Sequence, residues 1–447
     1  MPVQAQGGTC TRCPSELGRD PGDSERKRSV ETRLGNNGKS RFDVVVVGGR
    51  CAGSVLGLRL ARAGARVAMV DRDELGSDTL STHTIFPNTI SRLEGLGVLA
   101  PLIERHDVPS LRYRIRVLGH EFAGGFSPIG GFDRAIAPRR VALDRVLAEA
   151  ALDAGVQGRF GEKVAGLIGS GEADDPVRGV TLASGETIEA DWTVGADGRS
   201  STVAAKLGLE RTRTRSSDLS MLLSYWRGLP ETDMVSFDIH ERHGLTLIPC
   251  EDGLQALLTS GPPDHTRGGP AARERAYLSA LREFPTTLDP EAIDQAERIT
   301  PVRSAPETML RGFFRRPSGP GWALIGDAGH FKHPATAQGI SDAVEHAIYV
   351  SDALMGGDAS LDDYEAWRDE RAAGHYEFSF QFGMQPQPEV AGPIFAGIAS
   401  EPETAQDFRD AMSRLVRPDR RVFSRENLGR WLAAAPAKPK TVASTPT

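Results

Sequence analysis

The order of apolar and polar residues predicts a βαβ unit as the first folded segment of the chain. Residues 42–47 (FDVVVV) form a continuous apolar run, residues 51–62 carry apolar side chains at helical spacing, and residues 67–71 (VAMVD) form a second apolar run that ends in an acid. Continuous apolar runs of this length are typical of buried parallel strands, and the helical segment between them can cover one face of the sheet. We therefore expect an α/β fold that begins at Phe42.

Two later regions show different patterns. Residues 219–260 alternate apolar and polar side chains between turn-forming residues, which predicts antiparallel strands. Residues 321–326 form a short apolar segment that ends before Asp327, and Ile340 and Val344 lie at helical spacing soon afterwards. The start of that helix can bind electron-rich ligand atoms, because the first backbone N–H groups of a helix have no partner within it.

The two ends of the chain lack apolar periodicity. Residues 1–40 and 436–447 are rich in polar, glycine or proline residues. Such segments bury too little apolar surface to offset the entropy lost on ordering, so we predict two disordered tails. Residues 356–435 instead contain several helical stretches, which predict a C-terminal helical region.

The composition is typical of a soluble globular protein. Of the 447 residues, 39% are hydrophobic and 25% are charged, and the chain is long enough for two or three domains. The net charge of −7 and the lack of a long basic block argue against a nucleic-acid surface. No apolar run reaches the roughly 18 residues needed to span a membrane, and the N-terminus is polar. We therefore expect a cytoplasmic protein without a membrane span.

The cysteine and histidine residues do not form a metal-site pattern. Cys10 and Cys13 form a CxxC motif, but the chain has only four cysteines and no second pair to complete a zinc site. His240 and His243 lie three residues apart in a predicted strand, so their side chains would point to opposite faces. We expect neither a disulfide framework nor a bound metal.

The turn after the first strand, GGRCAG at residues 48–53, has the features of a dinucleotide-binding turn. Gly48 can make a tight turn, and Gly53 lets the helix lie close to the sheet. Asp71 ends the second strand, where a carboxylate can accept hydrogen bonds from an adenosine ribose. Arg50 stands beside Gly49 at the position of the middle glycine of GxGxxG; it could contribute a cation to the pyrophosphate or point outward.

Two other segments carry polar residues beside a helix start. Residues 137–156 read as a helix with Arg140 in its first turn. A strand then leads to the turn that contains Asp197, before a short helix that Ser200 or Ser201 can cap. Each of these features alone is common on protein surfaces.

Together, three segments resemble the fingerprints of a known enzyme family. GGRCAG at residues 48–53, GADGRSS at 195–201 and GDAGHFKHP at 326–334 are similar to the three FAD-binding motifs of the group A flavoprotein monooxygenases, the para-hydroxybenzoate hydroxylase type. They occur in the order and at about the spacing of that family, and the similarity covers residues 42–355. The chain also resembles the bacterial branch in which GGRCAG is followed by SDTLSTH.

The resemblance implies a fold of three parts. A Rossmann-like FAD-binding domain of the para-hydroxybenzoate hydroxylase type would comprise residues 41–215 and 295–355. An antiparallel β-sheet substrate domain, residues 216–294, would be inserted into it, and residues 356–435 would form a helical cap. The fold class would be α/β.

The resemblance also implies which residues bind FAD. Gly48, Gly53 and Asp71 would hold the ADP half, Asp327 would bond the ribityl chain, and the backbone around Ile340 would face flavin N1 and O2. The predicted set comprises Gly48, Gly49, Arg50, Gly53, Asp71, Arg140, Asp197, Gly198, Gly326, Asp327, Gln338, Gly339 and Ile340. The chain departs from many family members in having Ser341 where they have asparagine.

Candidate catalytic and substrate-binding residues follow from the same resemblance. Pro334 would lie beside the isoalloxazine ring. His83 would act near the ring as an acid, a base or a structural hydrogen-bonding residue. His330 could help to deprotonate a phenol, although it also matches a structural position of the family. The side chains expected to line the substrate pocket are those of Tyr225, Trp226 and Phe237.

These features predict an FAD-dependent monooxygenase. The family mechanism uses NAD(P)H to reduce FAD and O2 to form a flavin C4a-hydroperoxide, which hydroxylates a small, aromatic or polyketide-like substrate. The chain carries one dinucleotide fingerprint, so NAD(P)H would bind transiently, or a separate partner would reduce the flavin. The protein could act as a monomer or a homodimer.

Other functions are compatible with the same motifs. A dehydrogenase or double-bond reductase related to geranylgeranyl reductases carries all three, so fold and cofactor leave the reaction open. A non-catalytic flavin-binding protein is a further alternative. A halogenase is disfavoured because the WxWxIP box is absent: Trp226 is followed by Arg227, and the Ile248-Pro249 pair has no tryptophan before it.

Overall fold

A computed structural model of the protein describes residues 41–81 and 84–434. The two predicted tails and the candidate residue His83 lie outside the described residues. The described chain folds into three β-sheets and the helices that cover them. None of the described helices is both long and apolar enough to cross a membrane.

The helices and strands follow one another in a mixed order. The helices are α1 (Cys51–Arg62), α2 (Pro87–Gly95), α3 (Leu99–His106), α4 (Arg140–Asp153), α5 (Thr202–Lys206), α6 (Pro270–Leu281), α7 (Pro290–Gln295), α8 (Gly339–Leu354), α9 (Tyr364–Phe382), α10 (Pro388–Ser400), α11 (Pro402–Met412), α12 (Pro418–Arg421) and α13 (Arg425–Ala433). The strands are β1 (Phe42–Val47), β2 (Val67–Asp71), β3 (Arg112–Val117), β4 (His120–Gly124), β5 (Gln157–Phe160), β6 (Val164–Leu167), β7 (Gly179–Leu182), β8 (Thr187–Gly195), β9 (Thr212–Arg215), β10 (Ser220–Arg227), β11 (Met234–Ile239), β12 (Gly244–Pro249), β13 (Leu254–Gly261), β14 (Glu297–Arg298), β15 (Arg303–Ala305), β16 (Gly312–Phe314), β17 (Ser318–Gly319), β18 (Trp322–Leu324) and β19 (His330–Phe331).

The first sheet confirms the predicted α/β fold. Its strand order is β17-β18-β8-β1-β2-β5, and strands β18, β8, β1, β2 and β5 run parallel. Strand β7 pairs antiparallel with β8, and β6 pairs antiparallel with β7. Because parallel strands end at the same edge of a sheet, the turns after β1 and β8 and the segment after β18 meet there. This edge holds all three predicted fingerprints.

Both faces of the first sheet are buried in apolar cores. Helix α1 begins directly after the Gly-rich turn and buries Val55, Leu56 and Leu60 in a core that it shares with α4 and α8. The other face packs against a smaller core that includes Trp322 and Leu324. The burial of the β1 and β2 side chains on both faces explains why these strands are apolar without alternation.

The second sheet contains the antiparallel strands predicted for residues 219–260. Its strand order is β14-β10-β13-β12-β11-β3-β4, and β15 also pairs with β10. Strands β3 and β4 lie within the range 41–215 that was predicted for the FAD-binding domain. Strand β3 pairs parallel to β11, and its alternate residues Tyr113, Ile115 and Val117 are buried.

The second sheet is covered on both faces. On one face, α6 and α7 bury Tyr277, Leu281 and Ile293 against the strands. On the other face, a core rich in aromatic residues joins the sheet to the C-terminal helices, and it includes Phe395 and Phe408. The C-terminal helices therefore pack directly on the sheet. Strands β9, β16 and β19 form the third, small sheet.

Candidate active site

A cavity of about 450 Å³ lies where the fingerprint segments meet, and we call it the large cavity. Predicted residues that line it are Arg50, Arg140, Asp197, Gly198, Gly326, Asp327, Pro334, Gly339 and Ile340. A side cavity of about 80 Å³ shares Arg50 and Asp197 with it and is lined also by Gly48 and Asp71. Segments that are far apart in the sequence thus form one elongated space.

The Gly-rich turn is shaped by close backbone contacts. Gly48 has φ +107, and a Cβ atom on it would lie 2.5 Å from the Ala196 carbonyl oxygen. A Cβ atom on Gly53 would lie 1.8 Å from the Gly48 carbonyl oxygen. The Gly49 N–H donates to Asp71 Oδ2 at 2.6 Å, so the acid at the end of β2 fastens the turn. Only glycine permits these close approaches between backbone segments.

Arg50 binds neighbouring parts of the protein. Its guanidinium group donates to the Ser77 carbonyl at 3.2 Å, to Asp73 Oδ2 at 3.1 Å and to Asp144 Oδ2 at 3.2 Å. Arg140 donates to Asp144 Oδ1 at 2.9 Å, so two arginines share one buried acid. Arg50 thereby holds the loop after β2 against α4, while both guanidinium groups remain in the cavity wall.

Cys51, the first residue of α1, also contacts the shared acid. Its thiol donates to Asp144 Oδ1 at 3.0 Å, and burial raises the pKa of the thiol. It therefore stays protonated and is a poor nucleophile. Among the described residues, no group of three or more His, Cys, Asp or Glu side chains could hold a metal ion.

Asp197 combines a structural contact with an unused acceptor. Its Oδ2 accepts from the Thr202 N–H at 2.6 Å and so bonds the start of α5, while Ser201 accepts from the Ala204 N–H as the N-cap. Within the described part of the chain, its Oδ1 is buried without a hydrogen-bond partner. Burial raises the pKa of this acid. A buried acceptor of this kind in a cavity wall is suited to a ligand donor.

Asp327 follows β18 and lines the large cavity. Burial and the nearby Asp342 raise the pKa of Asp327 to about 6, although Arg140, Arg199 and Lys332 act in the opposite direction. The carboxyl group is therefore a desolvated acceptor in a cationic environment. A ligand that donates hydrogen bonds to it would stabilise the charged form.

We expect Asp327→Ala to weaken FAD binding by about tenfold to a hundredfold, because a hydrogen bond to a charged group contributes about 1.5 to 3 kcal/mol. The measurement is a titration of the deflavinated protein with FAD at pH 8, where the carboxyl group is ionised. Asp352→Ala is the control. Asp352 lies near the end of α8, pairs with Arg59 and does not line the cavity. Equal affinities for both variants would contradict the assignment of Asp327.

The start of α8 is held by residues from the C-terminal helices. Gln338 precedes the helix, and its side chain donates to the Met412 carbonyl at 2.8 Å and accepts from Arg414 Nε at 2.6 Å. Gln338 is buried, so its side chain lies behind the cavity wall, while Gly339 and Ile340 form the wall. Sequence reasoning missed Arg414, which holds the segment before α8 through its hydrogen bond to Gln338.

Arg414 is the centre of a buried ionic cluster behind this wall. It donates to Asp342 and, at 2.8 Å, to Glu345 Oε2. Lys332 Nζ lies 2.6 Å from Asp342 Oδ2. Burial opposes ionisation of Asp342, but Arg414 and Lys332 outweigh it and hold its pKa well below the usual range. No local pattern around residue 414 indicates this role, since its partners lie about seventy positions away.

A second, smaller pocket of about 50 Å³ lies between the second sheet and the end of α9, and we call it the sheet pocket. It shares Thr84, Met221, Leu258, Pro334 and Ala337 with the large cavity. Its apolar walls include Phe237, Ile248 and Phe382, while its outer end is lined by His240, Arg242, His243 and Gln385. The sheet pocket therefore adjoins the large cavity at residues without charged side chains.

The structure corrects the prediction that Trp226 lines this pocket. Trp226 is on the opposite face of the sheet, where its indole N–H donates to the Tyr277 hydroxyl at 2.8 Å within the core under α6. Tyr225 is on the pocket side, but its ring packs near Arg139 and is not part of the pocket wall. Neighbouring residues of a strand point to opposite faces, so these two cannot line the same pocket.

The histidines of the third fingerprint are structural. His330 is fully buried, its Nδ1 lies 3.2 Å from the Phe313 carbonyl, and its ring packs on Phe314. Burial and Lys332 hold its pKa well below the usual range, so it is neutral. It lines neither cavity, which corrects the prediction of a catalytic role. His333 is likewise buried, and its Nε2 lies 3.1 Å from Ser217 Oγ.

Known proteins resemble this chain over most of its length. The family model described as FAD binding domain matches residues 41–379. The chain is 30% identical over 353 residues to 6-methylpretetramide 4-monooxygenase of Streptomyces rimosus, which covers 74% of this chain and 79% of that protein. It is 26% identical over 340 residues to menaquinone reductase of Mycolicibacterium smegmatis, which covers 73% and 80% of the two chains.

A solved structure supports the same architecture. The myxobacterial chondrochloren halogenase CndH, an FAD-dependent halogenase, matches with a TM-score of 0.67 and 20% identity, over 88% of this chain and 97% of that chain. A likeness at this identity shows the fold alone, because one fold supports different reactions.

Proposed function

The chain belongs to the FAD binding domain family, and from this membership we propose that it is a monooxygenase that hydroxylates a small aromatic or polyketide-like molecule with NAD(P)H and O2. The protein is an FAD-dependent oxidoreductase, and NAD(P)H and O2 are the co-substrates typical of its family. The similarity to 6-methylpretetramide 4-monooxygenase supports the proposed substrate class.

Features of the large cavity fit FAD. Gly48 and Gly53 permit the tight backbone contacts of the turn, and Cys51 and Ala52 at the start of α1 line the cavity, where helix N–H groups can face a pyrophosphate. Asp197 Oδ1 is a buried acceptor without a partner among the described residues. Asp327 adds a second acid to the same wall. Glycine backbone at one end and acceptors along the wall match the pyrophosphate and the hydroxyl-bearing chain of FAD.

We propose these roles for the residues of the chain. Gly48 and Asp71 hold the ADP half, Asp327 accepts from the ribityl hydroxyls, and the backbone of Gly339 and Ile340 faces the flavin ring. Pro334 lies between this ring and the substrate, because it lines both cavities. Bound FAD supplies the electron transfer and the O2 activation that amino-acid side chains lack.

The observation that carries the proposal is the contact between the two cavities. The sheet pocket adjoins the large cavity at Thr84, Met221, Leu258, Pro334 and Ala337. The side chains that border both cavities carry no charge. A substrate in the sheet pocket would therefore meet the flavin at an uncharged border. A border of this kind excludes water from the reacting atoms, which protects reactive intermediates from hydrolysis and prevents proton leakage.

A reductase is the second candidate, since menaquinone reductase is among the relatives. Reduction of a double bond requires a proton donor near the substrate. The residues named above as common to both cavities have no titratable side chain, and among the described residues of the sheet pocket the histidines lie at the outer end. This arrangement favours oxygen transfer over reduction.

The deciding experiment is an isotope measurement. Purified protein with stoichiometric FAD is incubated with NADH or NADPH and a panel of phenolic and polycyclic aromatic compounds under ¹⁸O2. We expect substrate-dependent oxidation of one nicotinamide and a product that contains one ¹⁸O atom by mass spectrometry. Controls without substrate measure uncoupled oxidation.

Two results would contradict the proposal. A product that gains two hydrogen atoms without ¹⁸O would identify a reductase. Protein that purifies without FAD and binds none would indicate a non-catalytic role. If dithionite reduces the FAD but neither nicotinamide does, a separate partner supplies the electrons, and the label is then measured with chemically reduced enzyme.

A further inference from the structure

Lys332 is a buried lysine in the wall of the large cavity. It lies between His330–Phe331, the last strand of the small sheet, and Pro334. Its side chain is only 2% exposed, and it lies close to Asp327, Asp342 and Arg414. A lysine at this depth requires an electrostatic reason, since burial of an ammonium group is unfavourable.

Its ion pair belongs to a cluster with an excess of positive charge. Lys332 and Arg414 both contact Asp342, and Arg414 also contacts Glu345. Glu345 is contacted in addition by Arg92 at 3.0 Å and by Arg371 at 3.4 Å. Within the described residues, this cluster thus joins four cations to two carboxylates. The histidines that face it, His330, His346 and His375, are neutral because burial lowers their pKa values.

The position of the cluster matters more than its size. Asp342 lies in the first turn of α8, the helix whose start lines the large cavity. The N-terminal end of a helix carries partial positive charge and attracts a negatively charged ligand. An unpaired acid in the first turn would repel the same ligand and weaken this attraction. Lys332 and Arg414 cancel the charge of Asp342, so the net field toward the cavity stays positive.

A positive electrostatic field stabilises reduced FAD more than oxidised FAD, because the two forms differ in charge. The reduced cofactor carries more negative charge than the oxidised form, and a buried cation stabilises that charge with little screening by water. We propose that Lys332 raises the reduction potential of the bound FAD by binding the reduced form electrostatically. This inference rests on the placement of the flavin ring beside Pro334 and Ile340 proposed above.

The test measures the reduction potential of the holoprotein anaerobically, without organic substrate, by equilibration with a reference dye. We expect Lys332→Met to weaken the binding of reduced FAD relative to oxidised FAD about tenfold, which is a fall of about 30 mV for a two-electron couple. Arg371→Gln is the matched control. It removes a cation from the same cluster, but Arg371 is 45% exposed and faces water.

Two more variants separate charge from packing. Lys332→Arg retains the charge and should keep the potential near that of the wild type, whereas a fall equal to that of Lys332→Met would overturn the proposal. Asp342→Asn removes the opposing charge and should raise the potential. If Lys332→Met does not retain FAD, the absence of a rise in Asp342→Asn would overturn the proposal instead. None of these readings depends on whether the enzyme hydroxylates or reduces its substrate.

Discussion

Replacing Gly53 with alanine is expected to abolish FAD binding and to destabilise the protein by about 3 kcal/mol or more. The added Cβ atom would lie 1.8 Å from the Gly48 carbonyl oxygen, which is backbone and cannot turn aside. Either the turn must open or α1 must move away from the sheet, and both changes remove the cradle for the pyrophosphate. The measurements are FAD content after purification and the midpoint of thermal unfolding.

Gly57→Ala is the matched control for this prediction. Gly57 lies one turn later in α1, and its added Cβ atom would meet the side chains of Val156, at 3.3 Å, and Val67, at 3.9 Å, rather than backbone. Alanine also favours the helix by about 1 kcal/mol over glycine, which offsets that contact. We expect this variant to retain FAD and stability. A Gly53→Ala protein that retains both would show that the turn is not needed for the cofactor.

Replacing Arg414 with methionine is expected to lower the free energy of unfolding by about 3 to 5 kcal/mol, because it leaves Asp342 and Glu345 buried without their main partner. It also removes the hydrogen bond that Gln338 accepts before α8. FAD content should fall as well, since the start of this helix lines the large cavity. Urea unfolding of the holoprotein, with FAD fluorescence recorded in parallel, measures both effects.

Arg417→Met is the control for this prediction. Arg417 is three residues away, pairs with Asp419 and is 37% exposed at the side chain, so its ion pair is screened by water. Exposed pairs contribute about 1 kcal/mol or less. Equal destabilisation by the two variants would mean that the buried cluster is not stronger than a surface pair.

The pH dependence of the free energy of unfolding provides a second test of the Arg414→Met prediction. Burial disfavours the charged form of Glu345, but Arg414, Arg92 and Arg371 lower its pKa to about 2, and the pKa of Asp342 is also low. For acids with pKa values depressed in the folded state, the stabilisation is complete above their unfolded pKa values, near 4 to 4.5, and is lost as the pH falls toward 2. The difference in stability between wild type and Arg414→Met should therefore shrink below about pH 4.5.

The C-terminal region supports the wall of the large cavity. The FAD binding domain match ends at residue 379, whereas Met412 and Arg414 hold the segment before α8. Helices of the same region pack on the second sheet through Phe395 and Phe408. We infer that this region connects the wall of the large cavity to the second sheet.

The sequence by itself determined the features that depend on local pattern. Continuous apolar runs around a helical segment predicted the βαβ unit, and alternation over residues 219–260 predicted antiparallel strands. Gly48 and Gly53 were predicted because a tight turn between a strand and a helix needs glycine, whereas the role of Asp327 was implied by the resemblance of GDAGHFKHP to a family motif. These signals are readable because backbone sterics and burial act over a few residues.

Only the tertiary structure decided the contacts between distant segments. Alternation shows that Tyr225 and Trp226 face opposite sides of a strand, but the packing of α6 on one face decided that Trp226 points away from the sheet pocket. The contacts of Arg50 with the loop after β2, and those of Arg414 with Asp342 and Glu345, join residues far apart in the chain. An ion pair between distant segments leaves no periodic trace in either, because its energy depends on three-dimensional proximity and burial rather than on neighbouring residues.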